Sequence, residues 1–108
     1  MIKWYRDLYL DDKASKKEKK FRKCVESTKI LKRHCTVIAL ASNEDNLFDI
    51  FDTKELYFRY NRIRELYVVG LAANYESALE LLQTMLCDMM DKEQSFSPRL
   101  FFARDKFD

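Results

Sequence analysis

Two unbroken apolar runs constrain what this chain can fold into more than any other feature. They are Cys35-Thr-Val-Ile-Ala-Leu-Ala41 and Glu65-Leu-Tyr-Val-Val-Gly-Leu-Ala-Ala73. Each is far shorter than the roughly 20 apolar residues of a membrane-crossing helix. Neither alternates with polar residues, so neither leaves a face for water, and both are rich in strand-favouring residues. The pair predicts two strands side by side in the interior of a sheet. The only glycine of the chain, Gly70, falls inside the second run. A glycine in a strand marks a bulge or a close approach to the backbone, and a closely packed helix is the expected cause here.

Helical periodicity accounts for two further stretches. Asn74 is a natural N-cap, and Tyr75, Ala78, Leu79, Leu82, Met85, Leu86 and Met89 recur at helical spacing, with Leu81 and Met90 broadening the stripe. From about Ala14 to Leu31, the positions Phe21, Cys24, Val25, Thr28 and Leu31 form a second stripe, and Ser15 with Glu18 resembles a capping box. Lys17 lands on the apolar side of that helix, a position that requires snorkelling or fraying.

Between and beyond these elements, Leu47 to Phe51 reads as a helical turn, Glu55 to Tyr60 as a strand, and Asn61 and Arg62 as a hairpin turn. Pro98 bars a central strand at its own position, but Arg99 to Ala103 suits a last strand entered from a loop. The strand, helix, strand series from 65 to 103 then reads as a right-handed crossover joining parallel strands. The expected fold is α/β (α+β), a two-layer sandwich of order α-β-β-β-α-β. Its mixed four-stranded sheet is covered on one face by two main helices. Residues 1–108 read as a single domain, with 1–12 as an aromatic N-terminal arm and 104–108 as a frayed tail.

With 47% hydrophobic residues, eight Phe, six Tyr and one Trp, the chain has the apolar surface for one core. The opening residues carry charges where a signal peptide needs an apolar stretch. Cys24, Cys35 and Cys87 are odd in number and contain no Cys-x-x-Cys pair, the pattern of reduced thiols. A cytoplasmic location is the expectation, with no membrane partner. The net charge is only +2. Yet Lys13 to Arg33 holds ten Lys or Arg against Glu18 and Glu26, so that segment carries +8 and the remainder −6.

Candidate chemistry is sparse. The only histidine, His34, is followed by Cys35, but neighbours on a strand point to opposite faces. Glu44, Asp45, Asp49 and Asp52 place two carboxylates one helical turn apart but match no calcium loop. A single glycine cannot build a phosphate-binding loop. The expectation is a protein that is not an enzyme, with no catalytic residues, no metal and no cofactor. An enzyme reading would require a small-molecule pocket near Gly70 and Asn74, at the carboxyl end of the second central strand, where open α/β sheets place ligands.

Three surfaces remain. Lys16, Lys19, Arg22 and Lys23, with Lys29 and Arg33, fall on the outer face of the first helix, where they can meet phosphates, bind a protein partner or simply solvate the helix. Tyr57 to Arg64 interleaves aromatic and guanidinium groups, with Arg59 and Arg62 as candidate contacts. Trp4, Tyr5 and Tyr9 make the arm aromatic, so it either clasps its own domain or meets a twin subunit.

A set of phrases runs from Trp4-Tyr5-x-Asp7-Leu8-Tyr9-x-Asp11, through a lysine-rich helix, to Val37-Ile38-Ala39-Leu40-Ala41-Ser42-Asn43 and Asn46-Leu47-x-Asp49-Ile50. It closes with Val68-Val69-Gly70-Leu71-Ala72-x-x-Tyr75-Glu76-x-Ala78-Leu79-Glu80. Over roughly residues 4 to 90 the order resembles a group of small uncharacterised proteins of gut clostridial Firmicutes. The resemblance implies a bacterial cytoplasmic setting and no chemistry. Where that group often has a Gly or Pro turn before the first strand, this chain has Arg33-His34-Cys35. The reading that follows is a non-enzymatic protein-protein interaction module, homodimeric or binding another protein. The alternative is a small nucleic-acid-binding protein or regulator using the basic helix.

Overall fold

The computed structural model describes residues 2–26, 35–41, 47–58, 66–93 and 98–108. The chain runs β1 (Ile2–Leu10), α1 (Asp12–Lys16), α2 (Glu18–Glu26), β2 (Thr36–Leu40), β3 (Phe48–Asp52) and α3 (Thr53–Phe58). It continues through β4 (Leu66–Ala72), α4 (Tyr75–Glu93) and α5 (Pro98–Phe101) to a 3₁₀ turn at Arg104–Lys106. The strands form one mixed sheet in the order β1-β4-β2-β3. The α+β class and the mixed four-stranded sheet stand as expected.

The two apolar runs are β2 and β4, and they pair with each other, antiparallel, in the sheet interior. Their lack of alternation has the predicted cause, because both faces are covered. Ile38 and Val69 face a core built with Ala78, Met85 and Met89 of α4 and with Phe101 and Phe102. Val37, Ala39, Val68 and Leu71 face a second core with Ala14 of α1 and Val25 of α2. The basic helices and α4 therefore lie on opposite sides of the sheet, and the expected two layers gain a thinner third.

Gly70 satisfies both readings of a strand glycine. The register between β2 and β4 slips between Ile38 and Ala39, which face Gly70 and Val68 and leave Val69 as the extra residue. A Cβ on Gly70 would sit 2.6 Å from Met85 Cε and 3.3 Å from Leu81 Cδ2, inside the 3.5–4.0 Å of ordinary carbon contact. Helix α4 is seated against bare backbone at this point.

Four assignments differ from the sequence expectation. The aromatic arm is an edge strand, β1, parallel to β4. Ile2, Trp4 and Leu10 pack on the α1–α2 side, Tyr5 and Tyr9 on the α4 side, and Leu8 touches both cores. Residues 48–52 form a strand rather than a helical turn. Leu47, Ile50 and Phe51 fit helical spacing as well as Phe48 and Ile50 fit alternation, and pairing with β2 decides between them. Thr53–Phe58 is helical rather than extended, and Asp52 Oδ1 accepts a hydrogen bond from Lys54 N at its start. Pro98–Phe101 is a helix rather than a strand, which suits proline at a first helical position. The parallel pair is thus β1 with β4, not two strands flanking α4. The proposed turn at Asn61 and Arg62 lies outside the described residues.

The tail is not frayed. Phe107 is buried, and Trp4 and Asp108 exchange two backbone hydrogen bonds at 3.0 and 2.8 Å along the outer edge of β1. Phe102, almost fully buried, stands edge-on to Tyr5 at 4.8 Å and to Phe48 at 5.8 Å, which ties the tail to both ends of the sheet order.

Candidate functional site

The first helical segment breaks in two. Asp11 caps α1, its Oδ1 accepting from Ala14 N at 2.7 Å, while Ser15 Oγ turns back to Asp12 O instead of acting as the cap. Asp11 Oδ2 also accepts from Ala73 N at 2.8 Å, and Asp11 N donates to Leu71 O. One carboxylate therefore fixes the start of α1 against the carboxyl end of β4. Lys17, the residue that fitted the helical stripe badly, is the break itself, at φ −134° and ψ 42°, and it is exposed.

Helix α2 then presents a buried side made of Val25 with Phe21 and Cys24. At 100° per residue, Lys19 and Lys23 fall on the opposite side beside Glu26, and Lys20 lies on the flank next to Cys24. Lys13, Lys16, Lys17, Lys19, Lys20 and Lys23 are all exposed. Among the described residues, none of these six lysines makes an ion pair. The segment 12–26 holds seven cations against three acids, whereas α4 holds five acids against Lys92. The two outer layers carry opposite charge across the sheet, an arrangement that orients an approaching polyanion toward one face.

Arg22, a candidate contact with Lys16, Lys19 and Lys23, has a different role. Its Nη2 lies 2.7 Å from Glu18 Oε2, and its guanidinium sits 4.7 Å over the ring of half-buried Trp4. Its Nε is buried with no hydrogen-bond partner. The side chain is partly exposed, but its guanidinium is engaged by Glu18 and by the face of Trp4. Arg59 and Arg62 lie outside the described residues, as do Lys29, Arg33 and His34.

Trp4, Tyr5 and Tyr9 are engaged within the fold. Tyr5 is buried between Phe102 and Phe107. The Tyr9 hydroxyl donates to Asp88 Oδ2 of α4. Burial, then that hydrogen bond, push the Tyr9 phenol well above its ordinary value, and burial with Asp7 raises Tyr5. Among the described residues, the exposed large apolar side chains are Leu47, Tyr75, Leu79 and Met90, and three of these share one flank of α4. The helical stripe contained this flank, but nothing local in it told the buried edge from the exposed one.

Two other chemistries can be placed. Burial first, then the neighbouring Cys24, push the Cys35 thiol up to about 12, which keeps it in the protonated, non-nucleophilic form. Asp49 and Asp52 stand on a strand, so the helical spacing that joined them to Asp45 does not hold, and Glu44 and Asp45 lie outside the described residues. Among the described residues no three His, Cys, Asp or Glu side chains gather as metal ligands. A polar groove of about 380 Å³ does lie where a ligand site would be sought, between Asp11, Lys13 and the first turns of α4 at Asn74, Ser77 and Glu80. Among the described residues no helix is long and apolar enough to cross a membrane. No family model, curated protein or solved structure matches the chain.

Proposed function

We propose that this chain is a binding module rather than a catalyst, with the lysine face of α1 and α2 as its working surface and an anionic macromolecule as its partner. The observation that carries the reading is the set of six exposed lysines without ion pairs on α1 and α2, five of them clear of α4 and Lys13 at the groove it shares with Glu80. A solvated surface helix usually intersperses charges of both signs. Here Glu18 is already held by Arg22, which leaves Asp12 and Glu26 as the acids facing six lysines on this layer. The bacterial cytoplasmic setting implied by the resemblance belongs to the same proposal. The test is retention on a heparin resin. The wild-type protein elutes at clearly higher salt than Lys16→Glu/Lys19→Glu/Lys23→Glu, and equal elution would end the reading.

A second reading, self-association, rests on α4 instead of the N-terminal aromatics. Tyr75 is 58% exposed, Met90 42% and Leu79 39%, and with half-buried Leu86 they fall within about 60° of arc. Between Tyr75 and Met90 the stripe they form carries no charge, so two copies can meet there about a two-fold axis without like-charge repulsion. Light scattering over a concentration series tests it, since Leu79→Lys and Met90→Lys should each turn a dimer into a monomer. A wild-type monomer throughout that series would remove this reading.

A further inference from the structure

Resting on the lysine-face reading, we infer that the partner is duplex nucleic acid, held through its phosphates and read without regard to sequence. Base discrimination in a groove depends above all on side chains that make paired hydrogen bonds to base edges, arginine foremost. Among the described residues, α1 and α2 offer only lysines as free cations, because their one guanidinium is engaged by Glu18 and the Trp4 ring. Lysine is a compact point charge that binds a phosphate from many directions and specifies little.

Among the described residues, the composition of α1 and α2 favours a duplex over other polyanions. Single-strand binders pair a basic groove with aromatic rings on which bases stack. Here Trp4 lies half-buried beneath Arg22, and none of the exposed large apolar side chains belongs to α1 or α2. A membrane-seated helix needs an apolar face free to enter the lipid boundary. The apolar side of α2 is spent on the core through Phe21, Cys24 and Val25. Lysines on two short successive helices, with no exposed large apolar side chain among them, suit a stiff phosphate lattice of fixed spacing.

The contact number sets the salt dependence. Six lysine contacts limit the slope of log K against log salt to about −5, and the three on α2 alone give about −3. At the upper limit, affinity falls roughly a thousandfold between about 50 and 200 mM salt.

The experiment measures binding of the full chain by fluorescence anisotropy to two duplexes of unrelated sequence, to one of their single strands, to anionic lipid vesicles and to polyglutamate. Expected are equal affinities for the two duplexes, a slope between about −3 and −5, and weaker binding to the single strand. Lys16→Glu/Lys19→Glu/Lys23→Glu should abolish binding with its circular dichroism spectrum unchanged, while Arg22→Gln should leave the slope as it is. A tenfold preference for one duplex, or tighter binding of the single strand, overturns the inference. Binding to vesicles or polyglutamate but not to duplex overturns it too, and leaves the anionic-partner reading standing. Binding to none of these probes removes both.

Discussion

Replacing Gly70 with alanine adds one methyl group at the most crowded backbone position between β4 and α4. Its Cβ would lie 2.6 Å from Met85 Cε, 3.3 Å from Leu81 Cδ2 and 3.4 Å from Ile38 Cδ1. Restoring contact distance asks Met85 Cε to retreat about 1 Å, and the other two to yield a few tenths of an ångström. Met85 is fully buried, so its end must move within the core, although its unbranched chain is the most adaptable a core can offer. Overfilling of this kind costs about 1–3 kcal/mol. The smaller backbone entropy of alanine in the unfolded chain offsets about 0.4–1 kcal/mol of that. The expected net loss for Gly70→Ala is therefore about 1 kcal/mol, or roughly 4–8 °C in Tm, and Gly70→Val should lose more than twice as much. Urea unfolding followed by circular dichroism gives the value. The sharper test repeats Gly70→Ala in a Met85→Ala background, where the new methyl group meets a cavity. The penalty should vanish or change sign there, which is a coupling of about 1–2 kcal/mol between the two sites. An equal penalty in both backgrounds would refute the packing argument and assign the glycine to the backbone of the bulge at Val69.

Asp11→Ala removes a helix cap and the charge-assisted bond to Ala73 N, so unfolding free energy should fall by about 2–4 kcal/mol, and by about half that for Asp11→Asn, which keeps one acceptor. Phe102→Ala should cost about 3–5 kcal/mol in the same assay, because the ring fills the junction of Tyr5, Tyr9, Phe48 and Phe101. Stability should also fall in alkali. The folded Cys35 thiol keeps its proton to about 12, whereas the unfolded one ionises near about 8.5. The contribution is full below about pH 8 and is lost as pH rises toward 12, by up to about 1.4 kcal/mol per pH unit, and Cys35→Ala should flatten that slope by one proton. An aromatic disulfide reagent should label exposed Cys87 at once and Cys35 only on unfolding. Fast labelling of Cys35 in the folded protein would contradict its burial.

The lysine face and the candidate contacts on it were legible because charge is counted residue by residue, and α2 turns its apolar positions inward as their spacing requires. The role of Arg22 was not legible. On a helical wheel it lies outward, and only the arrival of Trp4 from β1 and the (i, i+4) geometry with Glu18 turn it to internal use. Trp4, Tyr5 and Tyr9 read as an arm in search of a surface, and that surface is their own sheet, reached across some sixty residues of chain.

What the sequence determined alone are the elements whose burial is written into a local period: the two central strands β2 and β4, helix α4 with its Asn74 cap, and the amphipathic α2. Unbroken apolarity and a 3.6-residue repeat are read over one element at a time, and they hold whatever that element packs against. Tertiary structure alone decided that residues 2–10 pair parallel with β4, that 48–52 extends while 53–58 coils, and that Pro98–Phe101 closes as a helix. It also decided that the basic and acidic layers face away from each other. Short segments satisfy more than one local pattern, and hydrogen bonds and buried contacts with distant residues, absent until the chain has folded, choose among them.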